Sequence, residues 1–140
     1  MANLRVCSAY RTVATAALEV IAASIPIDRV IEERSDKFRN EEGKQADRER
    51  RRNTMERWQE EWQGRSGSTW TATLIPQLDI WVNRPHGEVN YWVTQFLTGH
   101  GCFAQYLNRF KVRDTDKCWY CGGRDTELNE ALFEMGFKKQ

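Results

Sequence analysis

The chain has 140 residues, a formal net charge of +1, and a hydrophobic content of 40% that includes six tryptophans. That length suits one domain, or a small domain with an appendage, and the hydrophobic content is sufficient for a packed core. A charge so near zero argues against a dedicated nucleic-acid binder, whose surface is usually strongly basic. No segment is apolar over the length of a membrane span, which excludes an integral membrane protein.

The cysteines and the N-terminus indicate the cellular compartment. Cys7 and Cys102 lie far apart in the sequence, whereas Cys118 and Cys121 form a CxxC pair, so the cysteines do not suggest a disulfide framework. The first residues also lack the basic-then-apolar layout of a signal peptide. We therefore expect a reduced intracellular protein, nuclear or cytoplasmic.

The N-terminal part of the chain predicts two helices. Residues 8–24 are rich in alanine and carry apolar residues at helical spacing, with Ser8 as the N-cap, which predicts one largely buried helix. The helix should end before Pro26, because proline disfavours helical backbone at the preceding residue. Residues 27–63 then predict a second, long helix that begins with an apolar stripe and becomes highly charged.

The charge of the long helix is balanced. Residues 28–65 hold 11 of the 21 basic and 11 of the 20 acidic residues. Opposite charges four residues apart, as in Glu33/Lys37 and Asp47/Arg51, predict stabilising pairs along an exposed helix.

The second half of the chain predicts short helices separated by loops. Residues 64–68 form a loop, and Gly99 should end a helix before it. The helices are predicted at residues 70–82 (as turns around Pro76), 88–98, 102–110 and 126–135. No segment alternates as a strand does, so the predicted fold is all-α with about five to six helices.

Apolar spacing also predicts which side chains face the core. On the helix over 88–98 the predicted apolar face is Val89, Trp92, Val93, Phe96 and Leu97. On the helix over 102–110 it is Phe103, Tyr106, Leu107 and Phe110. Core packing is favoured over base stacking for Trp58, Trp62, Trp81 and Trp92.

The strongest site-like motif is the CxxC pair Cys118 and Cys121, which two glycines follow. Two thiolates at this spacing can bind one tetrahedral Zn²⁺, but two further ligands are needed. The residues after the pair contain neither Cys nor His, which leaves His100, Cys102 and Glu130 as additional candidates. Three interpretations stay open: a zinc site, a turn that binds metal weakly or not at all, and a redox pair, which is disfavoured because no βαβ setting is evident.

Nothing in the sequence forms a self-sufficient active site. His86 and His100 have no Ser, Cys or Asp partner indicated by spacing, so hydrogen bonding in a turn is favoured over general-base catalysis. The sequence has neither a Gly-rich phosphate loop nor the acidic cluster that a two-metal polymerase or nuclease requires. No catalytic residue is therefore predicted.

Two stretches carry the residue types that contact nucleic acid. The basic run at residues 48–52 is either a solvated helix face, which is favoured, or a phosphate-contacting patch. Near the C-terminus, basic side chains interleave with Trp119 and Tyr120, which lie inside the CxxC turn and would stack on bases if presented to solvent. The predicted phosphate contacts are Arg109, Lys111, Arg113, Lys117 and Arg124.

Eight short motifs occur in order across nearly the whole chain. They are RVCSAYRTV at 5–13, IPI at 25–27, WQEEW at 58–62, LIP at 74–76, WVNR at 81–84, HGEVN at 86–90, QFLTGHGCF at 95–103 and CWYC at 118–121. In content and order they resemble the region after the polymerase domain in LINE-type (non-LTR) retrotransposon reverse transcriptases, in particular the clade that inserts into ribosomal DNA and its relatives.

The resemblance implies a helical linker at residues 1–112 and a degenerate zinc-knuckle-like segment at residues 113–140. In that family the catalytic YADD-type motif lies upstream of this region, and this chain has none, so polymerase activity is not implied. The family's knuckle adds a His and a Cys to the CxxC pair. The corresponding positions here hold Asn129 or Glu130, and then Met135, which argues against zinc as a retained cofactor.

Two functions from different classes follow. The resemblance implies a non-catalytic accessory fragment that contacts template RNA or target DNA in target-primed reverse transcription, with the polymerase part of the parent protein as a further partner. The near-neutral charge and the missing zinc ligands favour the alternative, a repurposed helical protein–protein interaction module without nucleic-acid or metal binding. No membrane partner is expected.

Overall fold

The computed structural model describes residues 2–40, 43–65, 69–85, 88–101, 103–117 and 122–123. Within these ranges the chain forms eight helices and no strand, which confirms the predicted all-α class and exceeds the five to six helices expected. The helices are α1 (Ala2–Val6), α2 (Thr15–Ile21), α3 (Ile27–Arg39), α4 (Lys44–Gly64), α5 (Thr69–Leu74), α6 (Leu78–Val82), α7 (Tyr91–Thr98) and α8 (Ala104–Arg109). Among these described helices, none is long and apolar enough to cross a membrane. The predicted helix at 126–135 lies outside the described residues.

The core forms around α2, which packs against α1, α6 and α7. Val20 of α2 and Leu78 of α6 have no exposed surface. The C-terminal half of α4 contributes Trp58 and Trp62, which are both buried as predicted. The indole Nε1 of Trp62 donates a hydrogen bond to the carbonyl oxygen of Ile75 at 2.8 Å, so its one polar atom is satisfied inside the core.

The predicted helical turns around Pro76 are confirmed. α5 ends at Leu74 and α6 begins at Leu78, because proline cannot continue the first helix. The side chain of Gln59 in α4 joins the two ends: its Nε2 donates to the carbonyl of Pro76 at 3.0 Å, and its Oε1 accepts from the amide of Leu78 at 2.7 Å. The connection between α5 and α6 is thereby attached to α4.

The predicted helix over residues 8–24 is wrong at its N-terminal end. α2 begins only at Thr15, with Ala14 as its N-cap. Ser8 is not an N-cap, because it closes α1 instead: its φ is 51°, and its amide donates to the carbonyl of Arg5 at 3.2 Å. This bond satisfies a carbonyl that the end of a helix leaves unpaired. The alanine-rich composition conceals the break, since alanine favours helix throughout.

The predicted single helix over residues 27–63 is also wrong, because the chain reverses between α3 and α4. α3 ends at Arg39, α4 begins at Lys44 after Gly43, and the two helices pack against each other. A continuous helix of this length would extend about 55 Å and carry Trp62 away from the core. The reversal returns the apolar end of α4 to the core, where α4 packs against α6.

The reversal also changes which charges pair. Lys37 Nζ lies 2.7 Å from Asp47 Oδ2, and Arg51 Nη1 lies 3.3 Å from Glu33 Oε2. The predicted pairing of these four residues along one helix is therefore wrong. Each of them pairs with a residue of the other helix of the hairpin. The hydrogen bond from Lys37 lowers the pKa of the Asp47 carboxyl below its usual value.

Several basic side chains of the run at residues 48–52 pair with carboxylates along α4. Arg50 Nη1 lies 3.0 Å from Asp47 Oδ1, and Arg52 Nη2 lies 3.3 Å from Glu49 Oε1. Guanidinium groups already paired with carboxylates are poor candidates for phosphate contacts. These pairs favour the interpretation of the run as a solvated helix face.

The predicted apolar face of α7 is confirmed only in part: Leu97 is buried and Val89 and Phe96 pack against the core, whereas Trp92 and Val93 are exposed. The buried residues of α7 are Thr94, Gln95, Leu97 and Thr98. Trp92 is 71% exposed, so its predicted core packing is wrong, and Trp81 is only half-buried. The physical reason is that the turn after α1 presents carbonyl oxygens to this helix. Thr94 Oγ1 donates to the carbonyl of Cys7 at 2.6 Å, and Gln95 Nε2 donates to that of Ser8 at 3.4 Å.

The bond between Thr94 and Cys7 generates a prediction. Thr94→Val keeps the shape of the side chain but removes the donor, so the buried carbonyl of Cys7 loses this partner. We expect the free energy of unfolding, measured by urea denaturation, to fall by about 1–3 kcal/mol. Thr98→Val is the matched control, because the Thr98 hydroxyl donates at 2.8 Å to a carbonyl of its own helix, at Thr94. Equal losses in both variants would contradict the account.

Candidate nucleic-acid interface

Five aromatic side chains form a continuous row on the surface of the protein. The aromatic row consists of Trp92, Tyr91, Tyr10, Tyr106 and Phe110. In that order, successive ring centroids lie 5.1, 6.3, 6.0 and 4.8 Å apart. The row is assembled from three parts of the chain: the start of α7, the segment between α1 and α2, and α8 with the residue that follows it.

The aromatic row is open to solvent along most of its length. Trp92 is 71% exposed, Phe110 46%, and Tyr10 and Tyr91 39% each, while Tyr106 is half-buried. The hydroxyl oxygens of Tyr10 and Tyr91 lie 2.8 Å apart in a hydrogen bond, which holds the middle of the row. Exposed aromatic rings are the surfaces on which nucleic-acid bases stack, each worth about 1–3 kcal/mol.

A basic segment begins where the aromatic row ends. α8 ends at Arg109, and Lys111 follows in the left-handed region with a φ of 56°. The amide of Lys111 donates to the carbonyl of Asn108 at 2.9 Å, and the Asn108 side chain donates to the carbonyl of Arg113 at 3.1 Å. The segment therefore folds back against the end of α8. The guanidinium of Arg109 lies 6.0 Å from the ring centroid of Phe110.

This basic segment contains the described part of the predicted phosphate contacts. The residues concerned are Arg109, Lys111, Arg113 and Lys117, of which Arg113 is half-buried and the other three are exposed. Asp114 and Asp116 lie in the same segment, so the local excess is two positive charges. The remaining predicted contacts, Trp119, Tyr120 and Arg124, lie outside the described residues.

A groove of about 490 Å³ opens beside Tyr106, between the end of α7 and α8. Its lining includes Trp70, His100, Phe103, Tyr106, Arg109 and Asp116. Trp70 is held in place because its Nε1 donates to the carbonyl of Phe96 at 2.8 Å. Gly99 has a φ of 66° and ends α7 as predicted, and a Cβ at this position would lie 3.2 Å from the Trp70 ring. Glycine is therefore required here both by the backbone conformation and by the close approach of the indole.

His100 is the described residue among the candidate zinc ligands. Its Nδ1 donates to the carbonyl of Thr98 at 2.7 Å, which leaves Nε2 as the ring nitrogen that could ligate a metal. Its ring packs on Tyr106, with centroids 4.7 Å apart. In the described ranges, no group of three or more His, Cys, Asp or Glu residues could hold a metal ion.

The other metal candidates, Cys118, Cys121, Cys102 and Glu130, lie outside the described residues, as does His86. Cys7 is described, and it is fully buried, which raises the pKa of its thiol and makes it a structural rather than a reactive group.

Sequence reasoning missed the aromatic row. The predicted core face of residues 102–110 is wrong in part, because the buried residue of α8 is Ala104 and Phe110 is 46% exposed. Tyr91 and Trp92 are adjacent at the start of α7, so the pairing of their two rings could be found from the sequence. The place of Tyr10 in the row could not be predicted from neighbouring residues, because Tyr10 is 81 positions from Tyr91 in the sequence and only the tertiary fold brings them together.

Comparison with known proteins finds no matching family model, no matching curated protein and no matching solved structure.

Proposed function

We propose that the chain is a non-catalytic accessory fragment of a retrotransposon reverse transcriptase that contacts single-stranded template RNA or target DNA. The contact is made by the aromatic row and the basic segment that adjoins it. The single observation that carries the proposal is the row itself. Five neighbouring rings, four of them substantially exposed, run into a segment with four basic side chains.

The combination favours single strands over duplexes. Bases are available for stacking when they are unpaired, whereas a duplex presents its phosphates and groove edges. A local excess of two positive charges contributes a modest, salt-dependent attraction to phosphates. Stacking rather than charge therefore supplies most of the affinity, which agrees with a whole-chain charge near zero.

The motif resemblance supports the assignment to a retroelement, and it supplies the nucleic acids that such a fragment would meet. The predicted contacts Trp119, Tyr120 and Arg124 continue the same combination of aromatic and basic residues along the sequence. The proposal includes no catalytic step, because the catalytic motif of that family is absent from this sequence.

A second candidate function is a helical protein–protein interaction module. It is favoured by a specific observation on α3, whose Ile27, Ile31 and Phe38 are 70%, 60% and 88% exposed. Exposed apolar side chains aligned on one face of a helix favour an interaction surface. This surface is separate from the aromatic row, so the two functions are not exclusive.

Base stacking on the aromatic row is tested by two substitutions. Trp92→Ala and Tyr106→Ala should each weaken binding to a labelled single-stranded RNA or DNA of about 16 nucleotides by about 1–3 kcal/mol, roughly 5- to 150-fold. Fluorescence anisotropy at low salt measures the affinity. The matched control is Ile80→Ala, because Ile80 is 66% exposed but lies on α6, outside the row.

Two outcomes would contradict the nucleic-acid proposal. One is no binding of either single strand by the unsubstituted chain at low salt. The other is that the Trp92→Ala and Tyr106→Ala variants bind the single strand with the same affinity as the Ile80→Ala variant. A duplex of the same sequence should bind more weakly than the single strand.

The cysteine pair gives an independent prediction. Protein purified without added zinc should contain well under one zinc per chain, because the positions that would complete the knuckle hold Asn129 or Glu130 and then Met135. Elemental mass spectrometry measures the metal content, with Cys118→Ser as the control. About one zinc per chain that disappears in the control would show that Cys118 ligates zinc and would overturn this expectation.

A further inference from the structure

The apolar stripe of α3 lies on the outside of the protein. Ile27, Ile31 and Phe38 fall within about 40° of one another around the helix, at about 100° per residue. They are 70%, 60% and 88% exposed, and none of the 13 residues of this fully described helix is buried. An amphipathic helix normally turns such a stripe toward its own core, so this one is oriented the opposite way.

α3 is held to α4 by charges on another side of the helix. Arg29 pairs with Glu61, and Lys37 pairs with Asp47 at 2.7 Å. Glu33, which lies between them on the same side, pairs with Arg51. Because ion pairs make this contact, the apolar stripe is not needed to close the hairpin and remains free for another surface.

The edges of the stripe carry a self-complementary charge pattern. Asp28 stands near the N-terminal end of α3 and Arg39 at its C-terminal end, and both lie on the same edge of the stripe, about 20° apart. Asp28 has 64% of its side chain exposed, and Arg39 is exposed as well. When two copies of α3 pack antiparallel about a two-fold axis, Asp28 of each copy lies opposite Arg39 of the other. The same arrangement brings Phe38 to within about 3 Å of Ile27 of the second copy along the helix axis.

We propose that the α3 stripe is a self-association surface, on which a second copy of this chain docks through an antiparallel, two-fold pairing of α3 with α3. A two-fold interface uses the same patch on both subunits, and this patch is complementary to itself in charge and in apolar position. Three apolar anchors per copy make a small interface, below about 1,200 Å² in total, so the dimer forms reversibly as concentration rises.

The position of Arg34 provides a further test of the antiparallel pairing. It lies at the edge of the stripe between Ile31 and Phe38, close to the middle of the helix, so the two-fold axis brings Arg34 of both copies near each other. Their like charges oppose association. Arg34→Leu removes this repulsion and lengthens the apolar stripe, and it should therefore tighten the dimer several-fold.

The inference rests on the second candidate function and names its partner, and it does not depend on the aromatic row. The test is sedimentation velocity of the full chain over a wide range of concentrations. We expect a monomer that becomes a dimer, and Phe38→Glu should remain monomeric at every concentration. Ile80→Glu is the matched control, since it adds the same charge at a 66% exposed apolar position outside α3, and it should dimerise normally.

Charge reversal tests the antiparallel arrangement itself. Asp28→Arg and Arg39→Glu should each weaken the dimer, and the double variant should restore it. A chain that stays monomeric at the highest concentration overturns self-association, and in that case a different protein would cover the stripe. A dimer that Phe38→Glu leaves intact, or that the double reversal fails to restore, overturns the proposed pairing. Single-strand binding by a monomeric chain would leave the nucleic-acid proposal standing.

Discussion

The hydrogen bond from Thr94 Oγ1 to the carbonyl of Cys7 is the contact on which the candidate interface depends. It joins residues 87 positions apart at 2.6 Å, and both residues are fully buried. By attaching the turn after α1 to the middle of α7, it sets the position of the segment that follows the turn. That segment carries Tyr10, which lies between Tyr91 and Tyr106 in the aromatic row. Tyr10 thereby joins the Trp92–Tyr91 pair to the Tyr106–Phe110 pair.

The same kind of contact recurs elsewhere in the fold. Helices of five to eight residues are too short to be stable alone, so tertiary contacts must hold them. Here buried or half-buried side chains donate to carbonyls at helix ends and loops. Trp62 donates to Ile75, Trp70 to Phe96, and Thr71 to Leu97, at 2.8, 2.8 and 2.9 Å. These bonds attach α4 and α5 to their neighbours and satisfy the indole and hydroxyl donors inside the protein.

Sequence patterns predicted the features that local chemistry determines. Pro76 separates α5 from α6, Gly99 ends α7, and Trp58 and Trp62 return an apolar face to α4, all as expected. The break between α3 and α4 was not predictable in the same way, because the charges on either side pair equally well along one helix or across a hairpin.

The face that α7 buries could not be predicted either, and for a different reason. Apolar periodicity placed Trp92 inside, but the helix buries Thr94 and Gln95 to meet carbonyls that arrive from the other end of the chain. A polar partner so distant in sequence leaves no periodic signal. Because Thr94 and Gln95 face the interior, Trp92 is left on the exposed side of α7. There its ring extends the aromatic row.

The most direct test of nucleic-acid contact at the aromatic row is an NMR titration of isotope-labelled protein with a short single-stranded oligonucleotide. The indole N–H of Trp92 should shift progressively as the strand is added. The indole N–H of Trp62 should not move, because it is buried and bonded to Ile75. Saturable binding that leaves the Trp92 resonance in place, or that shifts residues of the α3–α4 hairpin instead, would contradict the account.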